Sequence, residues 1–153
     1  YRISVSYFLY RLTKNKTGEN YRETPDSYCN ELINKNWDII GHVSYDRETP
    51  IIDCMYLFNK LYKRIKRQMK SPVEIFYTSE RNFKRKNGYH NHFVLFSEDK
   101  KMIPELKKII DCFFRKNGLA LTDIKRYIME LNGVRYIMKD IENIKDGFEL
   151  LNY

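Results

Sequence analysis

An α+β fold is the class the sequence predicts: a central antiparallel sheet of about five strands, with helices mainly on one face. Three observations carry this. Residues 53–69 place Cys54, Phe58, Leu61, Ile65 and Met69 at spacings of four, three, four and four, the period of an amphipathic helix. Two aromatic and β-branched runs, 73–78 and 89–96, are joined across a turn signal at Asn87-Gly88, as in a hairpin. A second helical pattern follows, with Pro104 near its start, Leu106, Ile109, Ile110 and Phe113 inside, and Gly118 just past its end.

Element by element, residues 2–12 (RISVSYFLYRL) suit a strand but also a helix, and the polar stretch 14–24 reads as a loop. Thr24-Pro25-Asp26-Ser27 offers caps for a short helix over 27–34. Residues 38–45 (DIIGHVSY) form a strand, and 46–50 a turn. The helix over 53–69 carries Lys60, Lys63, Arg64, Lys66, Arg67 and Lys70 on or just past its outer face, and Pro72 stops it. The hairpin strands come next, joined by the basic loop 81–88 (RNFKRKNG). After the second helix, 119–131 reads as a strand with a polar break. Asn132-Gly133 turns the chain into a last helix over 134–143. From residue 38 the order is β-α-β-β-α-β-α. This is the split β-α-β layout of ferredoxin-like and RNA-recognition modules, with one sheet face expected free for a site. The chain reads as one domain over 1–153, with a core over 37–145 and an extension over 1–36.

Composition narrows the function classes. The chain has 153 residues, 28 Lys and Arg against 20 Asp and Glu, a net charge of +8 and 13 tyrosines. Basic plus aromatic suits a surface that grips phosphates and stacks bases. No apolar run approaches the ~18 residues that a membrane helix requires. Cys29, Cys54 and Cys112 are odd in number and lack C-x-x-C spacing. Neither a zinc ribbon nor a disulfide framework is supported, and a reducing compartment is expected. No G-x-x-x-x-G-K-[ST] occurs, so these residues carry no P-loop helicase.

The chemistry concentrates in Gly88-Tyr89-His90-Asn91-His92, which holds two of the three histidines. On a strand, positions i and i+2 share a face, so His90 and His92 project side by side about 7 Å apart. Glu80 lies ten residues before His90. If 81–88 closes the hairpin, Glu80 and His90 stand nearly opposite each other. Two imidazoles and a carboxylate leave open positions for water and a phosphate oxygen, which suits Mn²⁺ or Mg²⁺. Glu74 shares Glu80's parity and is the reserve ligand. Tyr89 points to the other face and belongs to the core. On the last helix Tyr136 and Lys139 are three apart and share a face. A lysine there favours phenolate over phenol and neutralises a phosphate.

The order of a Glu-ended strand, a short hairpin, G-x-H-x-H, a helix, a strand and then Y-x-x-K on a helix resembles the HUH endonuclease superfamily. More narrowly, it resembles the rolling-circle replication initiators (Rep proteins). The resemblance covers residues 38–145. It implies metal ligands at Glu80, His90 and His92, a nucleophile at Tyr136 and an electrostatic partner at Lys139. Two places depart from the family pattern. Asn91 stands where the family has a bulky apolar residue, and a polar side chain aimed at the core is a local cost. His42-Val43-Ser44-Tyr45 occupies the place of the family's first motif. Tyr127, nine residues before Tyr136, competes as nucleophile but has Glu130 rather than lysine at its i+3 position.

The implied activity is metal-dependent nicking and joining of single-stranded DNA at an origin, through a 5′-phosphotyrosine intermediate. Arg81, Lys84, Arg85 and Lys86 on the hairpin, and Lys63 and Lys66 on the basic helix, are the expected DNA contacts. The expected partners are single-stranded DNA at an origin, a hairpin among its candidate forms, and a host polymerase or helicase. The expected compartment is a microbial cytoplasm, or the host nucleus for a eukaryotic virus. Two alternatives stand beside this one. The first is a non-catalytic single-stranded nucleic-acid-binding module. The second is a transposase or relaxase of the same superfamily.

Overall fold

A computed structural model of the chain describes residues 25–82, 88–116, 120–139 and 148–152. The segment 2–12 and the hairpin residues Lys84, Arg85 and Lys86 lie outside the described residues. In chain order the elements are α1 (Pro25–Asn34), β1 (Ile39–Tyr45), α2 (Ile51–Gln68), β2 (Val73–Arg81), β3 (Tyr89–Ser97), α3 (Ile103–Lys116), β4 (Ala120–Arg126), α4 (Gly133–Met138) and β5 (Phe148–Leu151). Short 3₁₀ turns at Lys100–Met102 and Met129–Leu131 lead into α3 and α4. None of the described helices is long and apolar enough to cross a membrane.

The five strands form one antiparallel sheet in the order β4-β1-β3-β2-β5. β3 lies between β1 and β2, so the expected split β-α-β layout is present, and β5 extends it beyond β2. β5 has no counterpart in the sequence reading, because four residues are too few to show a period. β4 stops at Arg126, short of the expected strand to 131. There Tyr127 N–H donates to Asp38 C=O, and the chain then turns through Met129–Leu131.

One sheet face is buried under the two long helices. Ile39, Val43, Tyr45, Ile75, Tyr77, Phe93 and Leu95 pack against Leu57, Phe58, Leu61 and Ile65 of α2 and Leu106, Ile110, Phe113 and Phe114 of α3. Gly41 lies opposite Phe93, whose ring fills the space a β-carbon would need. Only glycine lets that ring lie flat on the strand.

The opposite face is not wholly free, which corrects the simplest form of the expectation. At one end Phe76, Val94 and Phe148 are buried with Leu32, Trp37, Tyr127, Val134, Ile137 and Met138, so α1 and α4 cover that end. The cause is visible in β2 and β3, where consecutive apolar residues oblige both faces to be covered. Asn132, in the left-handed region at φ 49°, starts α4. A β-carbon on Gly133 would meet the Ile40 side chain at 2.6 Å, so α4 begins directly on β1. The other end of this face stays open and holds the histidines.

Candidate metal centre

Three adjacent strands bring the donors together. His42 on β1 is the cross-strand partner of His92 on β3, and Glu80 on β2 is the partner of His90. Strand parity puts all four on the face away from α2 and α3. The imidazole centroids form a triangle: 4.8 Å for His42–His92, 5.1 Å for His90–His92 and 5.2 Å for His42–His90. One nitrogen of each ring lies within 4.8 Å of the others, a grouping that could hold a metal ion. Nitrogens bound to one ion at ~2.1 Å are roughly 3.0–3.4 Å apart, so loading draws the rings inward. Glu80 Oε2 lies 3.4 Å from His90 Nε2 and 3.6 Å from His92 Nε2, on the flank of the triangle.

The electrostatics favour a cation. Burial, then the neighbouring His42, His90 and Lys139 charges, hold His92 down to about 3. Burial and His90 also lower His42, against the pull of Asp123. Both rings are therefore neutral near pH 7, the state that ligates a metal. Glu80 Oε1 is buried without a hydrogen-bond partner, as is Thr78 Oγ1, whose residue lies opposite His92 on the same face. Orphaned oxygens beside three clustered imidazoles fit an ion that supplies the missing interaction.

α4 brings the second group of expected residues to the same place. Tyr136 is 56% exposed, and its ring stands edge-on to His92 with centroids 5.6 Å apart. Lys139 Nζ lies 3.9 Å from the Tyr136 ring centre and 3.6 Å from Glu80 Oε2. Lys139 thus links the phenol to the carboxylate. The short α4 achieves this by crossing the sheet from Ile40 toward β2, with Val134, Ile137 and Met138 as its buried side.

The other candidates are placed elsewhere. Glu74 sits far along β2 opposite Phe96 and pairs with Lys35 at 2.6 Å, so it is no reserve ligand. Tyr127 is 8% exposed and packed in the apolar cluster under α4. Tyr89 packs against the helix-covered core, as expected. Asn91 is fully buried there and carries no orphaned atom. It accepts from Tyr45 Oη at 2.7 Å and donates to Ser79 Oγ at 2.8 Å and Thr78 C=O at 3.1 Å. Its expected cost is offset by this local network. Arg81 is exposed at the end of β2, next to Glu80. Lys63 and Lys66 lie on α2, across the sheet from the histidines.

His42 is the donor that sequence reasoning missed. The available signal was slight: it is the third histidine of a chain that has three, at the strand parity that faces outward. Fold and site together define an antiparallel α+β sheet protein with a candidate metal centre and an adjacent Tyr–Lys pair. Comparison with protein-family models, with curated proteins and with solved structures finds no match for the chain.

Proposed function

We propose that the chain is a metal-dependent nuclease and strand transferase of the rolling-circle initiator type, acting on single-stranded DNA through Tyr136. One observation carries the reading: an exposed tyrosine stands edge-on to a histidine of a three-imidazole cluster, with a lysine between its ring and the cluster's carboxylate. His42, His90, His92 and Glu80 would hold the ion. Three nitrogen donors to one carboxylate suit Mn²⁺, or a later first-row ion, better than Mg²⁺. When bound, the ion supplies Lewis-acid polarisation of the scissile phosphodiester.

The chain's own residues then divide the work. Lys139 stabilises the phenolate of Tyr136, because an unassisted phenol is a weak nucleophile. Tyr136 Oη attacks phosphorus in line. The Oη–P bond forms as the P–O3′ bond breaks, and the phenol's proton ends on the departing 3′-oxygen. The products are a 5′-phosphotyrosine and a free 3′-hydroxyl. Attack by a 3′-hydroxyl on the phosphotyrosine reverses the step and joins strands. Glu80 is held between His90, His92 and Lys139 and orients the cluster.

The test uses labelled single-stranded oligonucleotides of randomised sequence incubated with the protein and Mn²⁺. A mass-shifted covalent species is expected. It should be absent with EDTA and absent in Tyr136→Phe. A Tyr136→Phe protein that binds single strands and forms the adduct at the wild-type yield contradicts the nucleophile assignment. A wild-type protein that binds single strands without any adduct favours the pure binding module.

A further inference from the structure

The outer surface of α2 carries a run of cations with no acid among them. Lys60, Lys63, Lys66, Arg67 and Lys70 are exposed, Arg64 is half-buried, and residues 60–70 contain no acid. Four cations elsewhere sit beside carboxylates: Lys35 with Glu74, Lys100 with Asp38, Arg115 with Asp111 and Lys125 with Asp123. Among the described residues, none of the α2 cations is paired in this way. They also repel one another. Lys60–Arg64 and Lys63–Arg67 are like-charge pairs four apart on the helix, an arrangement that destabilises it. The helix dipole favours the last-turn residues Lys66 and Arg67, but Lys60 and Lys63 lie beyond its reach.

We propose that the outer face of α2 is a second nucleic-acid contact, which binds the phosphate backbone of a duplex and lies across the sheet from the histidine cluster. Three features select this occupant. Lys60 to Arg67 form a rigid convex row ~10 Å long, on a rod whose width matches a major groove. Single strands are held in grooves or on platforms with several stacking rings, and this face has one exposed ring, Tyr56, beside Lys60 at 5.8 Å. The helix's apolar side, from Cys54 to Ile65, is already committed to the core, so no apolar face is left to enter a membrane. The inference goes beyond the proposed reaction and does not require it.

The test is fluorescence anisotropy of a labelled blunt duplex of arbitrary sequence, in EDTA and over a range of salt. Lys63→Glu/Arg67→Glu should weaken binding at least tenfold. It should also flatten the dependence of log K on log salt by about two, at roughly 0.9 per lost phosphate contact. Lys63→Gln/Arg67→Gln should fall between, which keeps the test decisive if charge reversal disturbs the helix. The charge-matched control Lys101→Glu/Lys116→Glu should change affinity less than threefold. The inference is overturned if wild type does not bind duplex at low salt, or if the control loses as much as the α2 pair. It is also overturned if phosphatidylserine vesicles outcompete the duplex. With chelator present no cleavage is read, so this outcome is separate from that of the adduct experiment.

Discussion

Asn91 and the histidines on either side of it occupy one strand but face two different environments. On the helix-covered side, the Asn91 amide is bonded to Tyr45, Ser79 and the Thr78 carbonyl. On the open side, Glu80 Oε1 and Thr78 Oγ1 are buried without hydrogen-bond partners beside the three imidazoles. A polar group that serves packing finds its partners within the fold, whereas a polar group that serves a ligand leaves valence open. Both sides are polar, and both are held by the same strands. What separates structure from site here is satisfaction rather than polarity.

The largest expected effect breaks the open side. His90→Ala/His92→Ala should abolish measurable Mn²⁺ binding by calorimetry while leaving the metal-free fold intact, because neither half-buried ring belongs to the apolar clusters. Retained binding would mean that the ion sits elsewhere. His42→Ala should be milder, weakening Mn²⁺ by roughly tenfold to a hundredfold, the scale on which changes around a metal site are felt. An unchanged affinity would remove His42 from the ligand set.

The covered side should respond in stability instead. Asn91→Leu removes the Asn91 bonds to the Tyr45 hydroxyl, the Ser79 side chain and the Thr78 carbonyl and should cost about 1–3 kcal/mol in urea unfolding. Adding Tyr45→Phe should recover part of that loss. If Asn91→Leu is as stable as wild type, the network is not what holds the core there.

Acidification gives the smallest effect and sharpens the comparison by sign. His92 is held down to about 3 in the fold and titrates near 6.5 when unfolded, so the unfolded chain binds more protons between those values. The metal-free protein should therefore lose stability as pH falls through that window, by about 1–2 kcal/mol at pH 5. His92→Gln should flatten the slope of stability against pH. A slope that survives the substitution assigns the effect to other groups.

Much of this was legible in the sequence, for local reasons. The hairpin pattern of the two apolar runs puts Glu80 near His90, and the register of β2 on β3 makes them partners. Strand parity alone puts His90 and His92 on one face and Asn91 on the other. His42 was not legible in the same way, because its proximity depends on which strand lies beside β3, a non-local choice. Cover by α1 and α4 was missed although Phe76 and Val94 alternate with core residues and left no apolar-free face. The neighbourhood of Tyr136 and Lys139 came from a resemblance rather than a period. Six helical residues carry too little pattern to aim a side chain across a sheet.

The central claim is that β1, β2 and β3 together hold a metal beside Tyr136, and anomalous diffraction from Mn²⁺-soaked crystals tests it most directly. The account predicts one strong peak bound by nitrogens of His42, His90 and His92 and an oxygen of Glu80, with Lys139 displaced from that carboxylate and the Tyr136 phenol facing the ion's open side. A peak held by other residues, or none at saturating Mn²⁺, would contradict it.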